Sequence, residues 1–225
     1  LALGELIKFA RGAYRSPELL VLEKIVKKGH VIFDLKINYD ENGKIIDDYE
    51  IKGIIKDGKI QLFNNYIYEK INFIFNLKKQ EFKFQEIKFA TNKINFFSDK
   101  VNVKQKKNIF FIDGIVKNKD AAVSKNFLKI VSLNLKNLNF DKTIFSSTNN
   151  FSFEVSKNLK LKNIFLKSDI YLDYIKYKKE NYISDYFSKI NDEIILKNHK
   201  LELKYSKNLL SISGKGEIKL EENFN

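Results

Sequence analysis

From His30 to Phe89 the chain alternates apolar with charged or amide residues, the period-two signature of a strand with one dry and one wet face. Phe33, Leu35, Ile37 and Tyr39 share one face, with Asp34, Lys36 and Asn38 on the other. Tyr49, Ile51, Gly53 and Ile55 repeat the pattern, as do Ile71, Phe73, Phe75 and Leu77 against Asn72, Asn76 and Lys78. Asp40 to Lys44 (DENGK) separates the first two blocks, and Asn42-Gly43 there supplies the positive φ that a hairpin turn demands. Asp57-Gly58-Lys59 reads as a second hairpin turn. The pattern predicts a meander of antiparallel strands.

The flanking segments differ. Ser16-Pro17 is an N-cap and first-turn pair, Leu19, Leu20, Leu22, Ile25 and Val26 recur at helical spacing, and Gly29 is placed for a left-handed stop. A helix from Pro17 to Lys28 follows, with a shorter one upstream around Leu6 to Ala13. Beyond Phe89, Ile94 with Phe96 and Val101 with Val103 predict two strands separated at Ser98-Asp99, and Asn108 to Lys117 a further one. Phase shifts between Phe84 and Ile87 and near Phe97 predict bulges or short turns. Short helices are expected near 121–130 and 182–191. Strands resume from Phe151 to Ile175, and the end reads as a hairpin, Leu201 to Gly214, followed by another strand at Ile218 and Leu220. Turn signals recur roughly every 10 to 12 residues, as in an all-β sheet rather than in βαβ units. The expected organisation is an N-terminal helical segment, 1–29, packed on a single antiparallel β domain, 30–225.

Composition changes this picture in three respects. A length of 225 residues with 44% hydrophobic and 31% charged residues suffices for a sizeable core, and a single proline with nine glycines is unlike a disordered chain. With no methionine, Leu1 is not a natural start, so the chain reads as a piece of something longer whose signal or anchor lies upstream. The net charge is +13, yet only Arg11 and Arg15 among 41 basic residues are arginine. Lysine, asparagine, isoleucine and phenylalanine are abundant together and share A/T-rich codons. Genome bias therefore accounts for the lysines without an anionic partner, and lysine lacks arginine's bidentate base contacts, so no nucleic-acid partner is expected.

Candidate chemistry is thin. His30 and His199 are the only histidines and lie far apart in sequence, each at a strand start. Asp40 to Lys44 lacks the ligand spacing of a calcium loop. Gly214-Lys215-Gly216 lacks the third glycine and following helix of a phosphate loop, and Asp47-Asp48 has no identifiable partner carboxylate. Asn150-Phe151-Ser152 matches a glycosylation triplet of a kind that arises by chance. No disulfide or thiolate site can form without cysteine. No enzyme, cofactor or metal is expected.

What remains is the dry face. A buried Phe, Ile or Leu contributes roughly 1.5–3 kcal/mol, whereas an exposed ion pair contributes about 0–1. Either the face closes into a sandwich or solenoid core of a structural or adhesive domain with no ligand, or the sheet curls into an apolar trough. A trough suits acyl chains: at about 0.8 kcal/mol per methylene, a chain of about sixteen carbons gains roughly 13 kcal/mol.

Three stretches, FDLKINYDENGKIIDDYEIKGIIKDGKIQL (Phe33 to Leu62), NNFSFEVSKNLKLKNIFLKSDIYLDYI (Asn149 to Ile175) and LLSISGKGEIKL (Leu209 to Leu220), carry a resemblance. Their texture of short β repeats resembles the AsmA-like envelope proteins, the family that includes TamB and YhdP. The resemblance covers most of the chain from about Pro17 onward and rests on texture rather than an invariant motif. It implies a mainly β fold: a long curved antiparallel sheet forming a taco-like groove, in a Gram-negative periplasmic protein anchored in the inner membrane by a helix outside this chain. It also implies phospholipid as the cargo, in lipid transfer or outer-membrane biogenesis, with no catalytic residue. The groove lining it implies, placed here by alternation, is Phe33, Leu35, Ile37, Tyr49, Ile51, Ile55, Ile71, Phe73, Phe75 and Leu77. Lys36 and Lys52 are candidates for a rim that meets anionic head groups.

Overall fold

Alternation this regular suits strands that pair side by side with one dry face, and a computed structural model shows them so paired. The structure describes residues 1–13, 17–62, 66–123, 140–156, 160–178 and 190–222. Two helices, α1 (Leu3–Ala13) and α2 (Pro17–Ile25), precede ten strands: β1 (Val26–Tyr39), β2 (Ile45–Gln61), β3 (Ile67–Lys78), β4 (Glu81–Thr91), β5 (Ile94–Lys106), β6 (Ile109–Val123), β7 (Phe140–Ser156), β8 (Leu161–Lys178), β9 (Ile190–Ser206) and β10 (Leu209–Glu222). The strands lie in one open sheet in chain order, and every register described is antiparallel. The protein is mainly β, as its alternation predicts. It divides into two compact units, Leu1–Val116 with Asn150–Ile164, and Lys117–Asn149 with Phe165–Asn225.

The turns follow from local chemistry. Asp40 holds the β1–β2 turn, its Oδ1 accepting from the backbone N–H of Asn42 (2.9 Å) and Lys44 (2.8 Å), while Gly43 takes φ 73°. Asn92-Lys93 and Lys207-Asn208 both place two residues at positive φ, the type I′ geometry that matches strand twist.

Several boundaries differ from those the sequence predicts. The second helix ends at Ile25 rather than Lys28, because β-branched Val26 joins the sheet opposite Ile60, and Gly29 lies inside β1. Asp57-Gly58 is not a turn. Asp57 adopts φ 51° within a continuous β2, and the pairing with β3 shifts between Ile55 and Gly58, so the signal for positive φ serves a bulge. The two strands expected on either side of Ser98-Asp99 are one strand, β5, and the last two expected strands are one strand, β10, with a register shift between Lys215 and Glu217. The phase shift after Phe84 is a bulge at Glu86, φ 51°. Of the two short helices expected near 121–130 and 182–191, residues 124–130 and 182–189 lie outside those described; residues 121–123 complete β6, and Ile190 begins β9.

In the first unit the core is one-sided. Val31, Ile55 and Phe75 are buried together, with Phe33, Ile51, Phe73, Leu77 and Phe84 around them and Leu3 and Leu6 of α1 laid over them. The seat for α1 is made by absent side chains. A Cβ on Gly29 would stand 3.2 Å from the Cα of Gly58 and 3.3 Å from Leu3 Cδ2. The N-terminus also covers part of the outer edge of β1. Leu1 donates from its amino group to the Val31 carbonyl (3.1 Å) and accepts from the Val31 N–H (2.9 Å), and Ala2 bridges to His30.

In the second unit, β8, β9 and β10 align rows across three strands: Leu166–Tyr205–Leu210, Ser168–Leu203–Ile212 and Ile170–Leu201–Gly214. Elsewhere in this unit β6 and β7 meet at a polar seam. Asn118, buried, donates through Nδ2 to the Phe145 carbonyl (3.1 Å) and accepts from Ser147 Oγ, which in turn accepts from Asn149 Nδ2 (2.8 Å).

Candidate functional site: an uncovered apolar face

The register converts alternation into rows. Directly opposed residues in a sheet share a face, so Phe33–Gly53–Phe75–Phe84–Val101 forms one apolar row across five strands, and Leu35–Ile51–Leu77–Phe82–Val103 forms the next. Ile37 faces Tyr49, and Val31–Ile55–Phe73 continues on the other side of the first row. Ile71 stands opposite Gly58, two residues along from Phe73. All ten residues placed by alternation therefore lie on one face of β1, β2 and β3. The phenylalanines interlock: Phe73 meets Phe84 edge-on at 5.6 Å and Phe75 at 6.3 Å between ring centroids.

Glycine shapes the first row. A Cβ at Gly53 would lie 2.4 Å from the Ile32 carbonyl oxygen, 2.6 Å from the Phe75 ring and 2.8 Å from Phe33 Cβ, so two aromatic neighbours close over the gap that glycine leaves. Gly114 does the same beyond Val101, where a Cβ would lie 2.8 Å from that valine and 3.0 Å from the Phe151 ring. The row thus extends towards β6 and β7 within the same unit. Sequence alternation marked these strands but left Phe82, Phe84, Val101, Val103 and Phe151 out of the lining, because cross-strand register is invisible in one dimension. The α1 side chains over the face were missed for the same reason.

Burial shows how far the face is covered. Ile55, Ile71 and Phe75 are buried, Leu35 is 51% exposed, and the other six lining residues are half-buried. The cover that the core cluster receives comes from Leu3 and Leu6 of α1, against Val31, Ile55 and Phe75. Leu35, one row away from Phe33, stays in water.

The opposite face is mainly polar and carries paired charges, but the apolar row Ile32–Ile54–Ile74 crosses it, with Ile32 67% and Ile54 38% exposed. Glu50 lies 3.1 Å from Lys52 Nζ and 3.3 Å from Lys78 Nζ, and accepts from Asn76 Nδ2 at 3.2 Å. These partners, Lys52 first, hold the Glu50 carboxyl below its ordinary pKa. Glu81 lies between Lys83 and Lys104, and Asn102 donates to Asp113 at 2.9 Å. Lys36 and Lys52 alternate with the apolar residues, so they stand on this polar face rather than at the lip of the apolar one. In the second unit, Lys167 pairs with Glu202 at 2.8 Å, which raises the lysine pKa and lowers that of the carboxyl.

In the second unit a cavity of about 450 Å³ is lined by residues including Asp169, Ile170, Tyr171, Leu201, Glu202 and Gly214. His30 is exposed, and His199 is half-buried with Nδ1 2.9 Å from the Lys197 carbonyl. Among the described residues no three metal-ligating side chains converge, and no helix is long and apolar enough to cross a membrane. The apolar face is the extended chemical feature of the first unit. No family model, no curated protein and no solved structure matches the chain.

Proposed function

We propose that the apolar face of the first unit holds the acyl chains of phospholipid, and that the chain is a segment of a bridge-like lipid-transfer or outer-membrane biogenesis protein. The observation that carries this reading is the row that begins at the half-exposed Leu35 and is continuous with the aromatic row at Phe33. A closed structural core without ligand is the competing reading, and it is disfavoured by Leu35, which such a core would bury.

Five opposed strands span four interstrand steps, about 19 Å at 4.7–4.9 Å each, enough to accommodate a long acyl chain lying across the strands. Binding is passive: methylenes exchange water for Phe33, Leu35, Ile51 and Leu77, at about 0.8 kcal/mol each, while the head group stays in solvent. No side chain is asked to make or break a bond, and no cofactor is required. The setting that fits is the periplasm of a Gram-negative envelope, with attachment to the inner membrane through a segment outside this chain.

The test is solvent extraction of the purified folded protein followed by lipid mass spectrometry. Phospholipid should co-purify, and Leu35→Asp should keep the far-UV circular dichroism of the parent while losing that lipid. A folded protein that carries no lipid and takes up none from vesicles of phosphatidylethanolamine and phosphatidylglycerol would overturn the proposal.

A further inference from the structure

The mainly polar face of the first unit is graded along its strands, and register makes the grading visible. One row, Lys36–Glu50–Lys78–Glu81–Lys104, alternates in sign across five strands, and the next, Asp34–Lys52–Asn76–Lys83–Asn102, mixes charges with amides. The third is the row Ile32–Ile54–Ile74, which continues into Gln85 and Lys100. Beyond it no carboxylate opposes a lysine: His30 faces Lys56, Lys88 stands between Asn72 and Phe97, and Lys28 faces Lys59. Like charges set directly opposite destabilise a sheet, so Lys28 and Lys59 gain nothing from each other.

The ion pairs follow the same grading. Glu50 and Glu81 engage Lys52, Lys78, Lys83 and Lys104. Among the described residues, no ion pair engages Lys28, Lys56, Lys59, Lys70 or Lys88. Codon bias sets how many lysines a chain carries, but not which end of a face leaves them without carboxylates. Two adjoining hollows open at this end and share Lys70. One, of about 270 Å³, is lined by Lys28, Asp57, Gly58, Lys59, Glu69 and Lys70. The other, of about 400 Å³, has no carboxylate in its lining, which includes Lys70, Asn72, Lys88, Asn95 and Phe97.

We infer that this end of the face docks on the surface of an anionic phospholipid bilayer. Its lysines meet phosphate head groups at the two hollows, while Ile32, Ile54 and Phe97, 67%, 38% and 37% exposed, enter the head-group layer. The combination selects the occupant. Cations beside exposed aliphatic side chains suit a membrane interface, where buried apolar area and attraction to anionic lipid add together. A nucleic acid would leave Ile32 without a partner, and these strands carry no arginine to grip phosphate bidentately. The surface is the broad face of the paired strands β1 to β5, so it needs no free strand edge, and it is independent of the lipid reading of the opposite face.

The test is co-sedimentation of the full 225-residue chain with vesicles of phosphatidylcholine, alone or mixed with phosphatidylglycerol. Binding should require phosphatidylglycerol and be lost at about 1 M salt, where the Debye length is about 3 Å. Lys56→Gln and Lys88→Gln should each weaken it about fivefold, and together about 25-fold. Lys83→Gln with Lys104→Gln removes the same charge from the neutralised end and should weaken it by less than about twofold. Ile32→Asn should also weaken binding while keeping the far-UV circular dichroism of the parent. Any lipid that co-purifies should be the same for the parent and the Lys56, Lys88 double variant, so the two faces are read separately. No binding to phosphatidylglycerol vesicles would overturn the proposal. So would equal losses from the two double variants, or binding that Ile32→Asn leaves unchanged.

Discussion

Truncating two apolar side chains on the same face should have very different costs if the face is open. Phe75 is 8% exposed and packs against Val31, Ile55 and Phe73, so Phe75→Ala removes a ring from a filled site. Such substitutions cost about 3–5 kcal/mol through lost transfer and the cavity left behind. Leu35 sits one row away but is 51% exposed. A fully buried Leu→Ala costs about 2–5 kcal/mol; with half the side chain already in water and no enclosed cavity to leave, Leu35→Ala should cost about 1 kcal/mol. Against a total stability of about 5–15 kcal/mol, the first change moves a urea midpoint by a large fraction and the second barely shifts it. The assay is urea unfolding followed by circular dichroism, both variants compared at a common m-value. Equal losses of about 3 kcal/mol or more would mean that Leu35 is covered in solution, and the open-face argument would fail.

Gly53→Ala should destabilise by about 1–3 kcal/mol through overpacking, since its Cβ meets the Ile32 backbone oxygen and two phenylalanines, whereas Gly12→Ala, with nothing within 4 Å, should not destabilise; thermal melts of the pair check this. Asn118→Ala should cost about 1–3 kcal/mol by leaving the Phe145 carbonyl and Ser147 without their partner, readable in hydrogen exchange of β6 and β7. Because the Glu50 carboxyl titrates below its unfolded value, its contribution is present above the ordinary carboxylate pKa and lost as pH falls through the lowered one. Glu50→Gln should therefore flatten the acid limb of a stability–pH profile. Lys167 has the opposite sign: its stabilisation is full below pH 10.5 and lost as pH rises through its raised pKa, so Lys167→Gln should flatten the alkaline limb.

Period-two alternation was enough to place Phe33 through Leu77 on one face, because β1 to β3 alternate apolar with polar positions except at Ile32, Ile54 and Ile74. It was not enough to say which residues oppose each other, and the Phe33–Gly53–Phe75–Phe84–Val101 row exists only in the register. Asp57-Gly58 shows the limit of local reading. Positive φ is legible in Asp-Gly, but whether the chain then reverses or bulges depends on a partner strand, here Ile71 opposite Gly58. The helix end was misplaced because Lys27, Lys28 and Gly29 make a convincing stop, while the pairing of Val26 with Ile60 is a long-range event. Nothing in Leu3 announces Gly29, the glycine that leaves room for it.

The left-handed residues inside the strands also bear on how the sequence can change. In β2 the apolar positions pass from odd numbers, Ile51 and Ile55, to even ones, Gly58 and Ile60, and Asp57 absorbs the difference; Lys70 and Glu86 sit at corresponding shifts in β3 and β4. Removing or adding one residue elsewhere in these strands would turn half a strand inside out. At Asp57, Lys70 or Glu86 the count is already uneven, so these are the points at which strand length can drift by single residues between related sequences while the apolar side keeps its orientation.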